Sequence, residues 1–203
     1  MHRRVASILL VATAVAAAVG VGSAPAQADD PIFSVNYPIN GSTHIKATDS
    51  DMALGPGTLH ADLDLTTGGF TGSVSLPPAT GSFTEFGIVP VVATTEFIEA
   101  APTTGSVDLN TGATQAQAHI TLKLTSLKVA GLPVLVGNDC QTQTPATIGL
   151  ASGPGFNVLT GGDVSGTYTI PDFAHCLLAT GLINLTIPGP GNTITLTLGA
   201  ATF

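Results

Sequence analysis

The stretch TLHADLDLTTGGFTGSVSL, residues 58–76, decides the fold, because its side chains alternate strictly between apolar and polar. The first half sets three apolar residues against three polar ones: Leu59, Ala61 and Leu63 against His60, Asp62 and Asp64. A period of two is typical of a β-strand with one dry face and one wet face. After the turn residues Thr-Thr-Gly-Gly the alternation resumes at Phe70. The stretch therefore predicts an antiparallel hairpin that buries one face.

Similar alternation, punctuated by Gly and Pro, recurs along most of the chain. Further strands are predicted at 43–48, 82–86, 89–98, 106–109, 116–129, 134–136, 146–150, 163–170 and 192–200. The phase of the apolar positions shifts within 116–129, which predicts a β-bulge at Thr125-Ser126. One short helix is predicted near 177–185, and residues 29–42 are predicted to be a lead-in without a strand because breakers interrupt them.

This pattern predicts an all-β fold. Many short strands with closely spaced turns favour an antiparallel β-sandwich with Greek-key-like connections and two packed sheets. A partly closed barrel is the alternative arrangement of the same strands.

The first 28 residues have the three-part build of a secretory signal peptide. Arg3 and Arg4 form a basic start, an apolar run follows, and Ala26-Gln27-Ala28 provides a cleavage site. We expect 1–28 to be removed and 29–203 to form a single β-domain. The mature protein is then secreted, either released from the cell or associated with the cell wall, with no transmembrane span of its own.

Charge excludes one class of partner. Removal of the signal leaves 175 residues in which three lysines face all 13 acidic residues, a formal charge of −10. Such a surface repels the phosphates of nucleic acids and of anionic membranes, so nucleic-acid binding is not expected.

Cys140 and Cys176 are the two cysteines of the chain. A pair in an exported protein most often forms a disulfide, which here would close a loop of about 36 residues. In the chain-entropy model such a bond contributes roughly 3–4 kcal/mol. A reactive thiol and a half-built metal site are the alternatives, but no C-x-x-C motif or Cys/His cluster accompanies the two residues.

The polar face of the opening strand is the first candidate site. Same-face neighbours on a strand are about 7 Å apart, whereas His60 and Asp64 would be about 13 Å apart, so the three polar residues cannot share one ion. A metal site would need His44 from a neighbouring strand to join His60 and Asp62. We favour a solvated strand face instead and expect no metal or other cofactor.

Asp172 and His175 are the best candidate catalytic pair, because they lie together in a predicted loop beside Cys176. They could serve an esterase-like secreted hydrolase. The G-x-S-x-G motif of such enzymes is absent. A turn held by the disulfide is the simpler interpretation.

Three pairs of segments resemble each other: 64–68 and 108–112, 87–91 and 131–134, and 72–77 and 166–171. Two similar β-units would explain the likeness, and so would chance in a sequence rich in Thr, Gly and Pro. The sequence leaves both explanations open, but it lacks the even repeats of a long solenoid.

Several motifs together resemble a known group of proteins. They are Ser75-Leu76-Pro77-Pro78-Ala79-Thr80, Phe86-Gly87-Ile88-Val89-Pro90-Val91, the pair Cys140 and Cys176, and Gly189-Pro190-Gly191-Asn192-Thr193-Ile194. With the Ala-rich signal, they resemble a family of small uncharacterised proteins secreted by high-GC actinobacteria. The resemblance implies secretion, one domain and a disulfide, and it supplies no catalytic residues.

The expected function is therefore a non-enzymatic binding or structural role outside the cell. The apolar faces of 70–76 and 116–124 would line a pocket for an apolar small molecule, and a cell-envelope component is the other expected partner. A secreted hydrolase that uses the 172–176 loop is the alternative.

Overall fold

The computed structural model describes residues 32–203, which form an antiparallel β-structure. Its strands are β1 (Ile32–Ile45), β2 (Ser50–Asp64), β3 (Gly69–Ser75), β4 (Ala79–Glu85), β5 (Val89–Val107), β6 (Thr114–Val129), β7 (Leu132–Val134), β8 (Gln141–Thr142), β9 (Ala146–Ser152), β10 (Gly162–Ile170), β11 (Phe173–Ala174) and β12 (Gly189–Leu198). A 3₁₀ turn at Leu177–Ala179 leads into helix α1, Thr180–Thr186. Neither helical segment in this part of the chain has the length and apolarity needed to cross a membrane. The predicted signal peptide, 1–28, lies outside the described residues.

Eight strands close into a barrel. They follow one another around it in the order β5, β6, β9, β10, β12, β1, β2 and β3. The sheet closes because β5 pairs with β3 on one side and with β6 on the other. The all-β prediction with one short helix is confirmed, and of the two arrangements expected, the strands adopt the barrel.

The opening hairpin forms as its alternation predicts. Leu63 of β2 faces Phe70 of β3, and His60 faces Ser73. Ala61 and Leu63 are buried, while His60 is about half exposed. β2 also extends back to Ser50, past the point where its sequence alternation begins.

The hairpin of β5 and β6 is the longest in the molecule's described part. Thr94 pairs with Ser126 and Thr95 with Leu124, so Thr125 is the extra residue of a bulge, as predicted. Beyond this bulge the ends of β5 and β6, together with β4, extend past the barrel as raised strands. These strands pack against α1. We call this the helix end of the barrel.

The prediction of a strandless lead-in is wrong, because 32–45 form β1, between β2 and β12. Pro38 does not interrupt the ladder with β12, since that ladder begins at Ile39. Gly41 is required by a close approach of β12: a Cβ there would lie 2.1 Å from the backbone oxygen of Thr195. Pro38 and Gly41, which as residue types usually interrupt a strand, are thus accommodated inside β1 beside its neighbouring strands.

Three turns with the pattern Asp/Asn-x-x-Thr-Gly lie at the opposite end, which we call the turn end: 64–68, 108–112 and 157–161. In each, the first side chain accepts hydrogen bonds from the backbone amides two and three residues later. The pKa of Asp64 is lowered from 3.8, mainly by the Thr67 hydroxyl, and that of Asp108 mainly by the amide of Asn110. The likeness of 64–68 to 108–112 therefore reflects one turn structure.

Candidate functional site

The interior of the barrel contains a cavity of about 100 Å³, which we call the lumen cavity. Its walls come from all eight barrel strands and are mainly aliphatic or aromatic: Ile39, Leu54, Leu59, Phe70, Val74, Leu76, Phe97, Ala116, Ala118, Ile120, Leu122, Ile148, Leu150, Phe156, Val164, Tyr168, Ile194, Leu196 and Leu198, with the hydroxyl residues Thr43, Thr103 and Thr114. Segments 70–76 and 116–124, singled out from the sequence, both contribute. An eight-stranded barrel is wide enough to be filled by side chains or to hold one small ligand.

The few polar atoms at the lumen cavity already have hydrogen-bond partners. The hydroxyls of Thr43 and Tyr168 lie 2.7 Å apart, and Thr43 also donates to the backbone oxygen of Thr193. Burial raises the pKa of Tyr168, so its hydroxyl stays protonated at neutral pH. Throughout 32–203, no buried side-chain nitrogen or oxygen lacks a partner. The cavity therefore suits an apolar ligand, because its walls are almost wholly aliphatic or aromatic and the hydroxyl protons of its polar residues are already donated.

The turn end of the lumen cavity is closed. Loop 153–161 between β9 and β10 crosses this end, and its Phe156 lines the cavity. The hydroxyl of Tyr37 donates to the backbone oxygen of Val158 at 2.6 Å, which holds the loop in place. A ligand would therefore have to enter elsewhere.

Two more apolar cavities continue from the lumen toward the helix end. The middle cavity, about 50 Å³, shares Phe97, Leu122 and Tyr168 with the lumen cavity. The mouth cavity, about 210 Å³, shares Phe83 and Ile187 with the middle cavity. It lies between α1 and the raised part of the sheet formed by β4, β5 and β6.

A disulfide and a pair of hydrogen bonds hold α1 over the mouth cavity. The predicted disulfide between Cys140 and Cys176 is present, and it ties the chain before the 3₁₀ turn to the segment beside β6. Asn184 of α1 then exchanges two hydrogen bonds with the backbone of Phe173, at 2.8 and 2.9 Å. Both cysteines are fully buried.

The barrel wall is interrupted between β3 and β5. The pairing of these strands ends at Gly72 and Thr103, beside the lumen cavity. Glu99 bridges the gap, because its carboxylate accepts hydrogen bonds from the backbone amides of Val74 and Thr103 and from the Thr103 hydroxyl. Nothing in the sequence pattern around Glu99 marks a bridging carboxylate, so this role was not predictable from the sequence.

The three residues of the metal hypothesis are not brought together. His60 lies beside Asn36 in the β1–β2 ladder, and its imidazole is 3.5 Å from Asp62. His44 faces Asp51 instead, eight residues further along β1 from Asn36, or roughly 26 Å at the usual rise of a strand. Within 32–203 no group of three or more His, Cys, Asp or Glu side chains is placed to hold a metal ion.

The two candidate catalytic side chains do not belong to a hydrogen-bond network of the described residues. Asp172 and His175 are both exposed, and neither side chain makes a hydrogen bond or ion pair within the described chain. His175 has a left-handed backbone conformation, φ 60°, next to the disulfide. Asp172 therefore does not orient the His175 imidazole, and a carboxylate–histidine pair does not form here.

Comparison of the chain with protein-family models, with curated proteins and with solved structures finds no match. The cavities must therefore be interpreted from their own geometry and chemistry.

Proposed function

We propose that the protein is a secreted, non-enzymatic binding protein that holds an apolar small molecule in the lumen cavity of its barrel. The observation that carries the proposal is this void of about 100 Å³, enclosed by apolar side chains whose hydroxyl neighbours are already hydrogen-bonded. Ligand sites in proteins are typically concave, mainly apolar and largely preformed.

The energetic cost of an empty void supports an occupant. Protein interiors are close-packed, and an unfilled cavity destabilises the fold by about 24 cal/mol per Å³. The lumen cavity would cost about 2 kcal/mol if it stayed empty. Larger residues in place of Ala116 and Ala118, which both line it, would fill it. Their small size is consistent with space kept for a ligand.

The disulfide supports the proposed location. Such bonds form and persist in oxidising compartments, outside the cytoplasm. A location outside the cell or at the cell wall would also give access to envelope lipids.

The proposal is tested by incubating the purified protein with a lipid extract, removing the excess, and recording its native mass spectrum. We expect a mass increment of one small apolar molecule per chain. Ala118→Leu should lose this increment. Gln117→Leu, on the outer face of the same strand, should keep it. A wild-type spectrum without any adduct, or equal adducts on wild type and Ala118→Leu, would contradict the proposal.

A further inference from the structure

The lumen, middle and mouth cavities form a single file that leads from the closed turn end to the surface at α1. Neighbouring cavities share lining side chains: Phe97, Leu122 and Tyr168 at the first junction and Phe83 and Ile187 at the second. Each cavity alone is smaller than the roughly 300 Å³ of a typical compact ligand site. A flexible unbranched chain can thread such a file, whereas a rigid ring system cannot.

The mouth cavity contains the only charged residue among the described residues that line the three cavities, Glu85. Alternation along β4 places it on the same face as Gly81 and Phe83, which line the middle cavity. The Glu85 side chain has no hydrogen bond or ion pair with any other described residue. Its carboxylate is therefore available to a ligand.

The other polar group at the mouth cavity also presents an acceptor. Thr186 of α1 donates its hydroxyl proton to the backbone oxygen of Leu182, at 3.1 Å. Thr186 lines the cavity, and its oxygen keeps lone pairs that can accept a hydrogen bond. Glu85 and Thr186 thus offer two hydrogen-bond acceptors, and no described side chain that lines the cavity is a free donor. A ligand group that donates hydrogen bonds would bind there.

We propose that the ligand is a single-chain amphiphile whose tail occupies the file of cavities and whose hydroxyl or ammonium head binds Glu85 and Thr186 at the mouth. This inference rests on the proposed function and adds the chemical class of the ligand. A carboxylate or phosphate head is disfavoured, because it would meet Glu85 with like charge and bring no proton to either acceptor. Phe86 and Leu182, 74% and 44% exposed, give the mouth an apolar rim that the tail can cross.

Competition between amphiphiles that differ only in the head group tests the inference. The chain has no Trp, so the emission of a neutral linear polyene probe without rings, such as parinaryl alcohol, is free of intrinsic interference. Decylamine, 1-decanol and decanoate then compete with the bound probe at neutral pH. We expect the amine and the alcohol to displace it at concentrations about tenfold lower than decanoate does.

Substitutions at Glu85 make the test specific. Glu85→Gln should remove most of the discrimination against decanoate, and Glu85→Lys should reverse the order of decanoate and decylamine. Thr84→Lys adds the same charge on the outer face of β4 and should keep the wild-type order. A thermal melt of each variant confirms that it is folded.

The outcomes separate the two proposals. If the probe binds the wild type and Ala118→Leu removes it, but the Glu85 variants keep the wild-type order, the head-group inference is wrong while lumen binding stands. Decanoate competing as well as decylamine against wild type overturns the inference in the same way. If the wild type does not bind the probe, the proposed function fails and the inference fails with it.

Discussion

Filling the lumen cavity is the most informative single perturbation, and Ala118→Leu is the substitution suited to it. Ala118 lies in β6 opposite Ile148 of β9, is 6% exposed, and faces the cavity. Leucine adds three carbons, and each buried carbon stabilises by about 0.8 kcal/mol. The void of about 100 Å³ corresponds to a penalty of similar size, about 2 kcal/mol at 24 cal/mol per Å³.

We therefore expect ligand-free Ala118→Leu to unfold with a free energy about 2 kcal/mol higher than that of ligand-free wild type. For a domain of this size the shift in Tm is about 5 °C. Urea denaturation followed by far-UV circular dichroism measures the free energy, and the two proteins should have the same m-value. Gln117→Leu, on the outer face of the same strand, should change the free energy by less than about 0.5 kcal/mol.

Added ligand should reverse the ranking. A ligand that binds only the native state stabilises wild type by about 2.7 kcal/mol at a concentration of 100 Kd, and it should leave Ala118→Leu unchanged. The reasoning is refuted if Ala118→Leu is destabilised by the 1–3 kcal/mol typical of an overpacked core, because the lumen then has no usable space. It is also refuted if ligand stabilises both proteins equally.

Three further predictions concern the rest of the described chain. Replacing Cys140 and Cys176 together by Ala should lower the free energy of unfolding by roughly 3–4 kcal/mol in the chain-entropy model, and thermal melts of the variant and of wild type in non-reducing buffer measure the difference. Because the pKa values of Asp64 and Asp108 are lowered in the folded state, their turns contribute stability that is fully present above about pH 4 and is lost as pH falls through the folded values. Replacing both by Ala should therefore flatten the loss of stability between about pH 4 and pH 2, and an unchanged slope in urea titrations across that range would count against this. His175→Ala should leave any hydrolysis of a panel of short-chain esters unchanged, whereas a loss of hydrolysis specific to this variant would revive the hydrolase alternative.

The sequence predicts those parts of the fold that depend on local alternation. The β2–β3 hairpin and the bulge at Thr125 follow from the period of the apolar side chains alone. Closure of the barrel does not, because alternation shows which face of a strand is buried but not which strands are neighbours. The pairing of β5 with β3 and β6 joins segments whose order no local pattern specifies.

Residues that usually interrupt strands led to wrong strand boundaries where contacts with other strands decide the structure. Pro38 and Gly41 look like the end of a lead-in, yet they lie inside β1, where the approach of β12 requires a residue without Cβ at position 41. The sequence predicts two strands, 89–98 and 106–109, where β5 is one, and the Glu99 carboxylate bridges the irregular segment between them.

The candidate site was partly predictable. The apolar faces of 70–76 and 116–124 indicate an apolar interior, and they line the lumen cavity. The mouth cavity was not predictable, because it depends on α1 lying across the raised strands and on the disulfide that anchors it. Nothing in the alternation of 82–86 distinguishes Glu85 from an ordinary strand carboxylate.

If the barrel lumen is a ligand chamber, a fluorescence titration should detect one saturable site in it. Wild type and Ala118→Leu are titrated side by side with the same linear polyene alcohol. We expect saturable binding of one probe per chain to wild type, with enhanced emission, and no saturable binding to Ala118→Leu. Equal binding by the two proteins, or a wild-type signal that rises without saturation, would contradict it.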